Sequence, residues 1–318
     1  MSIPEGPYLD FEKEVVELEQ KIQDLLRTSE IGEDDIVGLQ KKKEDKLTKA
    51  YSKLKAWNKV ELARRSGRPY TLDYVKNIFS DFVELHGDRA FGDDPSMVGG
   101  WAKFRGQTVM IIGQQKGSDT KENVYRNFGM PHPEGYRKAL RLMKMAEKFN
   151  RPVISFIDTP GAFPGLGAEE RGQAEAIAKN LREMAVLEVP MMVVIIGEGA
   201  SGGALGIGMG DKIFMLENAW YSVISPEGCA AILWGDRSKA QELADNMKLT
   251  ADDLIGYGVI DEIVKEPIGG AHWDPNTVYE NLGDQLENSL VELSKMNTMD
   301  LIEQRIEKYS NMGVFTEK

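Results

Sequence analysis

The stretch MMVVIIGEGASGGALGIGMG, Met191 to Gly210, decides the fold. Met191 to Ile196 form an uninterrupted apolar run, and Gly199 to Gly210 hold six glycines. A short apolar run closed by glycines predicts a buried strand, here passing straight into a helix over Gly202 to Met209. Several backbone N–H groups at such a junction lack partners and face one space, which suits them to holding negative charge. A junction of the same kind precedes it. The apolar run Val153 to Ile157 breaks into Asp158-Thr159-Pro160-Gly161-Ala162-Phe163-Pro164-Gly165 before another helical stretch. Two such loops in successive strand and helix units predict one shared pocket.

The flanking sequence repeats this alternation. Further strands are expected near Thr108 to Gly113, Lys212 to Leu216 and Val259 to Val264, with helices near Gly135 to Phe149, Ala168 to Leu187 and Ala251 to Tyr257. Repeated strand and helix units mean an α/β core with right-handed crossovers, and ligands of such folds sit at the carboxyl ends of the strands. The stretch from Asn276 onward reads as helix. The first 66 residues differ: Phe11, Val15, Leu18, Ile22 and Leu25 recur at helical spacing, Ser29-Glu30-Ile31-Gly32 interrupts, and Ile36, Leu39, Leu47, Tyr51 and Leu54 resume. This predicts an antiparallel helical hairpin over 1–66, with Gly67-Arg68-Pro69 as the boundary to a core over 67–318. The hairpin packs either on its own core or on another subunit.

Composition bounds the function. The 318 residues are 42% hydrophobic and 28% charged, and 39 basic against 51 acidic residues leave a net charge of −12. That balance opposes tight binding to nucleic acid, and Lys41-Lys42-Lys43 is interleaved with Glu44 and Asp45 as on a solvated helix face. No run approaches a membrane span, and the start MSIPEGPYLDFEKE lacks the basic and apolar parts of a signal peptide, so a cytoplasmic protein is expected. One cysteine, Cys229, provides neither an intrachain disulfide nor a thiolate zinc site, and no metal is expected in this chain.

Other motifs compete. Gly199-Ala200-Ser201-Gly202-Gly203 satisfies the G-x-S-x-G nucleophile elbow, which would make Ser201 a hydrolase nucleophile with His272 as the only downstream histidine; the plainer reading of Ser201 is a helix N-cap. Met143-Lys144-Met145 matches a biotin-attachment tripeptide but falls inside a helical run rather than an exposed hairpin. Gly113 to Lys121 lacks the ending of a phosphate loop, and Gly206-Ile207-Gly208-Met209-Gly210 lacks dinucleotide spacing. His86 and His132 are isolated and read as structural or surface residues, and Asp158 reads as an Asx-turn or a pocket residue.

Four runs in order carry a resemblance: FGMPHPEGYRKALRLMK (Phe128 to Lys144), FIDTPGAFPGLGAEERGQAE (Phe156 to Glu175), VIIGEGASGGAL (Val194 to Leu205) and YSVISPEGC (Tyr221 to Cys229). Over nearly its whole length, hairpin included, the chain resembles the alpha subunits of bacterial acetyl-coenzyme A carboxylase carboxyltransferase. The resemblance implies the crotonase (ClpP/crotonase) fold, built of repeated β-β-α units. It implies a heterotetramer of two alpha and two zinc-ribbon beta subunits working with biotin carboxylase and the biotin carboxyl carrier protein. Carboxybiotin on the carrier would approach from the alpha side and acetyl-CoA from the beta side. Release of carbon dioxide, proton transfer from the acetyl methyl to biotin and capture of carbon dioxide by the enolate would give malonyl-CoA, opening fatty acid biosynthesis.

On these residues the resemblance implies an oxyanion hole at the Gly202 and Gly203 amides, with Gly161 and Ala162 contributing. Phe163, Gly165, Ala200 and Ser201 would lie on the carboxybiotin side. The chain departs from the resembled pattern at Ala200, where glycine is usual, at Phe163, where tyrosine is usual, and at Gln114, where histidine is usual. The acyl pocket is expected on the other chain, which leaves another acyl-CoA open as substrate, and Lys121 and Arg126 are candidates by charge for the CoA phosphates. A serine hydrolase and a non-catalytic assembly scaffold are the competing readings.

Overall fold

The computed structural model describes residues 8–28 and 33–313. Helices α1 (Lys13–Thr28) and α2 (Glu33–Tyr51) run antiparallel, as expected from their spacing. Lys43 pairs with Glu19 at 2.7 Å, Lys46 with Glu14 at 2.6 Å, and the Tyr51 hydroxyl donates to Glu12 at 2.8 Å, so successive residues of one helix meet earlier residues of the other. The expected turn at Ser29 to Gly32 lies outside the described residues. The hairpin packs on the rest of its own chain: Val15, Val16 and Leu47 bury against Trp273, and His272 Nε2 lies 2.9 Å from Glu12 Oε1.

Next come α3 (Ala56–Ala63), α4 (Thr71–Ile78), β1 (Ser80–Glu84), β2 (Met97–Phe104), β3 (Gln107–Gln114), α5 (Thr120–Tyr125), α6 (Pro133–Lys148) and β4 (Val153–Thr159). The central part adds α7 (Leu166–Glu170), α8 (Gln173–Ala185), β5 (Met191–Ala200), α9 (Ser201–Leu205), β6 (Lys212–Leu216) and β7 (Trp220–Ser222). The chain continues through α10 (Pro226–Trp234), α11 (Ala240–Ala244), α12 (Ala251–Gly256), β8 (Glu262–Val264), α13 (Pro275–Leu293) and α14 (Thr298–Ser310).

One sheet organises these elements in the order β1-β2-β3-β4-β5-β6-β8, with β7 pairing on β5. β2 pairs antiparallel with both β1 and β3, and from β3 onward every pairing is parallel. Helices cover both faces. A Cβ on Gly99 would strike Leu142 of α6, whereas one on Gly113 would strike Thr71 of α4. Gly99 pairs with Ile112, so by strand alternation Gly113 points to the opposite face. This double cover explains why β4 and β5 are buried at every position and read as predominantly apolar runs.

The five expected strands are all present. β1 and β2 escape the apolar-run reading because β2 carries Gly99-Gly100 at its centre; a Cβ on Gly100 would lie 2.0 Å from the Val83 carbonyl oxygen, so glycine there admits the neighbouring strand. The helix expected over Ala168 to Leu187 divides at Gly172, which takes φ +83°. The one expected over Gly202 to Met209 ends at Leu205, where Gly206 packs against the Tyr136 ring. Helix α3, unread in the sequence, buries Val60 and Ala63 with Ala200 and Trp220.

Candidate active site

The two glycine junctions touch. β4 and β5 are parallel neighbours, and the loops leaving them converge so closely that a Cβ on Gly203 would lie 2.4 Å from the Gly161 carbonyl carbon and 2.6 Å from the Ala162 nitrogen. Only glycine permits that approach. Gly161 itself takes φ +148°, and a Cβ there would meet nothing within 4 Å, so open space borders it. The Thr159 hydroxyl stitches the turn, donating to the Gly161 carbonyl at 2.8 Å and accepting from the Gly161 amide at 3.1 Å. Gly202 is less confined: its nearest neighbour is Ile177, 3.4 Å from a notional Cβ. The amides of the first turn of α9 have no partner within the helix.

Phe163 stacks on His132, with ring centroids 4.2 Å apart, and Gly165 lies against the edge of the Phe163 ring, where a Cβ would come within 2.4 Å of Cε1. Its amide is held by the Pro131 carbonyl at 3.0 Å. Two of the expected residues point elsewhere. The Ala200 methyl is buried among Ala56, Val60 and Trp220, away from the loop contact. Ser201 is exposed on the rim of an apolar cavity of about 350 Å³ lined by Leu205, Met209, Tyr221 and Val223 among others.

The N-cap reading of Ser201 is corrected, because Ala200 holds that position and Ser201 sits inside the first turn at φ +57°. None of the three histidines bonds to it. His272 is engaged by Glu12, His132 by Asn127 at 3.1 Å, and exposed His86 by Asp93 at 2.9 Å. A serine nucleophile here has no base.

Behind the loops lies a buried charge network that the sequence reading missed. Lys116 Nζ lies 2.6 Å from Asp158 Oδ1 and 2.7 Å from Glu198 Oε2, and Glu198 Oε1 accepts from Arg64 Nε at 2.6 Å. Arg64 also pairs with Glu227 at the start of α10. Gly197 lets Asp158 lie against β5, where its carboxylate accepts the Glu198 amide at 3.0 Å. Asp158 thus forms no Asx-turn; Thr159 supplies that role. Burial raises the Asp158 pKa against the pull of Lys116. Burial opposes the Lys116 ammonium as well, but the two carboxylates outweigh it and keep the group charged. The available signal was a charged residue at the end of each of three buried strands: Lys116, Asp158 and Glu198.

Gln114, fully buried at the end of β3, spans both junctions: Nε2 donates to the Gly203 carbonyl at 2.9 Å, and Oε1 accepts from the Asp158 amide at 3.1 Å. Of the basic candidates, Arg126 is committed to the Pro95 carbonyl at 2.8 Å and Lys121 is exposed. Met143-Lys144-Met145 lies within α6, with Met143 buried and Lys144 paired to Glu147 and Glu183.

This arrangement offers main-chain donors, open space beside them and no side-chain nucleophile paired to a base. Among the described residues no three His, Cys, Asp or Glu side chains gather to hold a metal, and no helix is long and apolar enough to cross a membrane.

The sequence model of the family described as acetyl co-enzyme A carboxylase carboxyltransferase-like matches residues 8–313. The acetyl-coenzyme A carboxylase carboxyl transferase subunit alpha of Geobacter metallireducens is 58% identical over 315 residues, covering 97% of this chain and 98% of that protein. That of Bacillus subtilis is 55% identical over 312 residues, covering 97% and 96%. Among solved structures, transcarboxylase 12S superposes with a TM-score of 0.56 at 18% identity, covering 80% of this chain and 44% of its own. The beta subunit of Pseudomonas aeruginosa geranyl-CoA carboxylase gives a TM-score of 0.55 at 17% identity, covering 83% and 48%. The chain spans less than half of each of those two longer chains, and the likeness establishes the crotonase-like fold. By the length and identity of its sequence match, the chain belongs to the acetyl-coenzyme A carboxylase carboxyltransferase alpha family.

Proposed function

We propose that this chain is the alpha subunit of an acetyl-CoA carboxyltransferase, moving the carboxyl group of carboxybiotin, borne by a separate carrier protein, to acetyl-CoA to form malonyl-CoA in the cytoplasm. The observation that carries the reading is the main-chain contact of Gly203 with Gly161 and Ala162, with no side-chain nucleophile and base beside it. Carboxyl transfer through an enolate develops charge on oxygen, and fixed amide donors stabilise such charge by about 3 kcal/mol each.

A biotin ring fits this setting. The space beside Gly161 is open, and Phe163, backed by His132, offers a flat apolar wall. The Gly202 and Gly203 amides, with that of Ala162, would hold its ureido oxygen and Gly165 would border it; the Gly161 amide is taken by the Thr159 hydroxyl, and Ser201 faces the separate apolar cavity. When bound, the carboxylated ring supplies both the carboxyl group and the basic nitrogen. The chain's own task is to hold developing charge and to orient the reacting groups. Lys116, satisfied by two carboxylates, is left no part as a proton carrier.

The active site is completed by a zinc-ribbon beta subunit, two of each chain forming the assembly, with the biotin carboxyl carrier protein and biotin carboxylase upstream. Exposed apolar side chains support a partner: Ile232, Leu233 and Trp234, consecutive at the end of α10, are 75%, 62% and 43% accessible, and Val223 after β7 is 80% accessible. The test is malonyl-CoA decarboxylation and biocytin carboxylation by this chain with and without the beta subunit. Activity in the mixture alone is expected. No activity in a verified complex would turn the reading to a scaffold, and activity of the single chain would overturn the shared site.

A further inference from the structure

We propose that Gln114 is a positioning residue of the site: its carboxamide clamps the end of β4, at Asp158, to the first turn of α9, at Gly203, and so fixes where the main-chain donors stand. The proposal rests on the carboxyltransferase reading and deepens it.

The clamp has two jaws and an anchor. Nε2 holds the Gly203 carbonyl at 2.9 Å, and Oε1 holds the Asp158 amide at 3.1 Å. The backbone carbonyl of Gln114 in turn accepts from the Thr71 hydroxyl at 2.5 Å, tying the clamp to α4 on the outer layer. The second contact on the Gly203 carbonyl, from the Tyr136 hydroxyl, is longer at 3.4 Å. Gly203 has no side chain to hold it, and Gly161 sits at φ +148° beside open space, so neither residue restricts its own backbone. Restraint has to come from other residues: the Thr159 hydroxyl fixes the Gly161 turn, Lys116 and Asp158 join the ends of β4 and β5, and Gln114 adds the bond that reaches the Gly203 carbonyl while holding the Asp158 amide. A neutral carboxamide presents one donor and one acceptor side by side, matching a carbonyl on one loop and an amide on the other without introducing charge.

A group that merely filled volume would be replaceable by any side chain of similar size. A clamp requires one donor and one acceptor together. Two titratable replacements meet that requirement in opposite protonation ranges. A neutral imidazole has one N–H and one bare nitrogen, but an imidazolium has two donors. A protonated carboxyl has one O–H and one carbonyl, but a carboxylate only accepts. The ionisable groups around the position are Asp158 on β4, Lys116 beyond β3, Glu198 on β5 and Tyr136 on α6. They are common to all variants, so the wild-type profile serves as reference.

The test uses the assembled two-subunit enzyme carrying Gln114→Leu, Gln114→His or Gln114→Glu, measuring kcat and KM for malonyl-CoA against pH. Gln114→Leu is expected to lower kcat about 10- to 100-fold at every pH, because small displacements of positioned groups cost that much, while KM changes less than about threefold. Gln114→His should recover toward wild type as pH rises, and Gln114→Glu as pH falls. Hydrogen exchange reads the clamp without turnover: the Asp158 amide should exchange at least about tenfold faster in Gln114→Leu, the equivalent of one lost hydrogen bond. Wild-type kcat in Gln114→Leu, parallel pH profiles for the His and Glu variants, or unchanged exchange at Asp158 would each overturn the clamp. An inactive wild-type complex would instead defeat the carboxyltransferase reading, and the exchange result would still decide whether Gln114 joins the loops.

Discussion

Lys116 and Glu198 form a buried ion pair, Nζ to Oε2 at 2.7 Å, directly behind the loops that build the site, and Asp158 closes on the same ammonium at 2.6 Å. Removing the cation strands two carboxylates in a dry setting. Lys116→Met should therefore lower unfolding free energy by about 3–5 kcal/mol, the usual cost of breaking a buried pair from one side. The midpoint of urea unfolding checks this. A second substitution, Asp158→Asn, should recover part of the loss, since it removes one of the stranded charges.

The neighbouring glycines should respond differently to one added methyl. Gly203→Ala drives a Cβ to 2.4 Å from the Gly161 carbonyl carbon, so the loops must part. The expected result is a loss of carboxyl transfer of about 100-fold or more, with about 1–3 kcal/mol of destabilisation from overpacking. Gly202→Ala meets only Ile177 at 3.4 Å and should assemble and melt as wild type does. Comparable losses in stability for the two variants, read from thermal melts, would contradict the packing.

Ser201 separates the hydrolase reading from the present one. It is exposed, holds no histidine and sits at φ +57°. Ser201→Ala should keep carboxyl transfer within about twofold, roughly 0.4 kcal/mol in the barrier. A fluorophosphonate probe should leave the wild-type chain unlabelled. Labelling that disappears in Ser201→Ala would restore the nucleophile.

The hairpin's attachment carries a pH dependence. His272 is buried, and burial lowers its pKa below the ordinary histidine value despite its bond to Glu12. The unfolded chain therefore binds more protons than the folded one just below the ordinary value, and stability falls as pH drops through that range. Burial works to raise the Glu12 pKa, but His272, the Leu9 amide and Arg65 outweigh it and hold the pKa low, so its contribution survives to lower pH. Tm should decline between pH 7 and pH 5, and His272→Gln should flatten that decline. An equally steep decline in the variant would remove His272 as the cause.

Much of the fold was legible because burial on both faces writes β3 to β6 as apolar runs closed by glycine or charge. The pair Gly161 and Gly203 was legible for the same reason, since both lie where such a run stops. β2 was not, because its central glycines serve a neighbouring strand and imitate a turn. Lys116, Glu198 and Arg64 were not, because their meaning lies in pairing across 134 positions between Arg64 and Glu198 and 82 between Lys116 and Glu198. Gln114 was visible only as a departure from a pattern; the two bonds that give it a role join residues 44 and 89 positions away.

The contact of Gly203 with Gly161 and Ala162 is between main-chain atoms alone, and this limits how the protein can be altered. Selection for a different acyl group has no side chain to exchange at the point of closest approach. Substitution at 203 removes the geometry rather than adjusting it, and substitution at Gln114 loosens it, whereas a side chain such as Phe163 can be varied with the loops still in contact. Engineering of this enzyme is thereby directed to the second layer and to the partner chain.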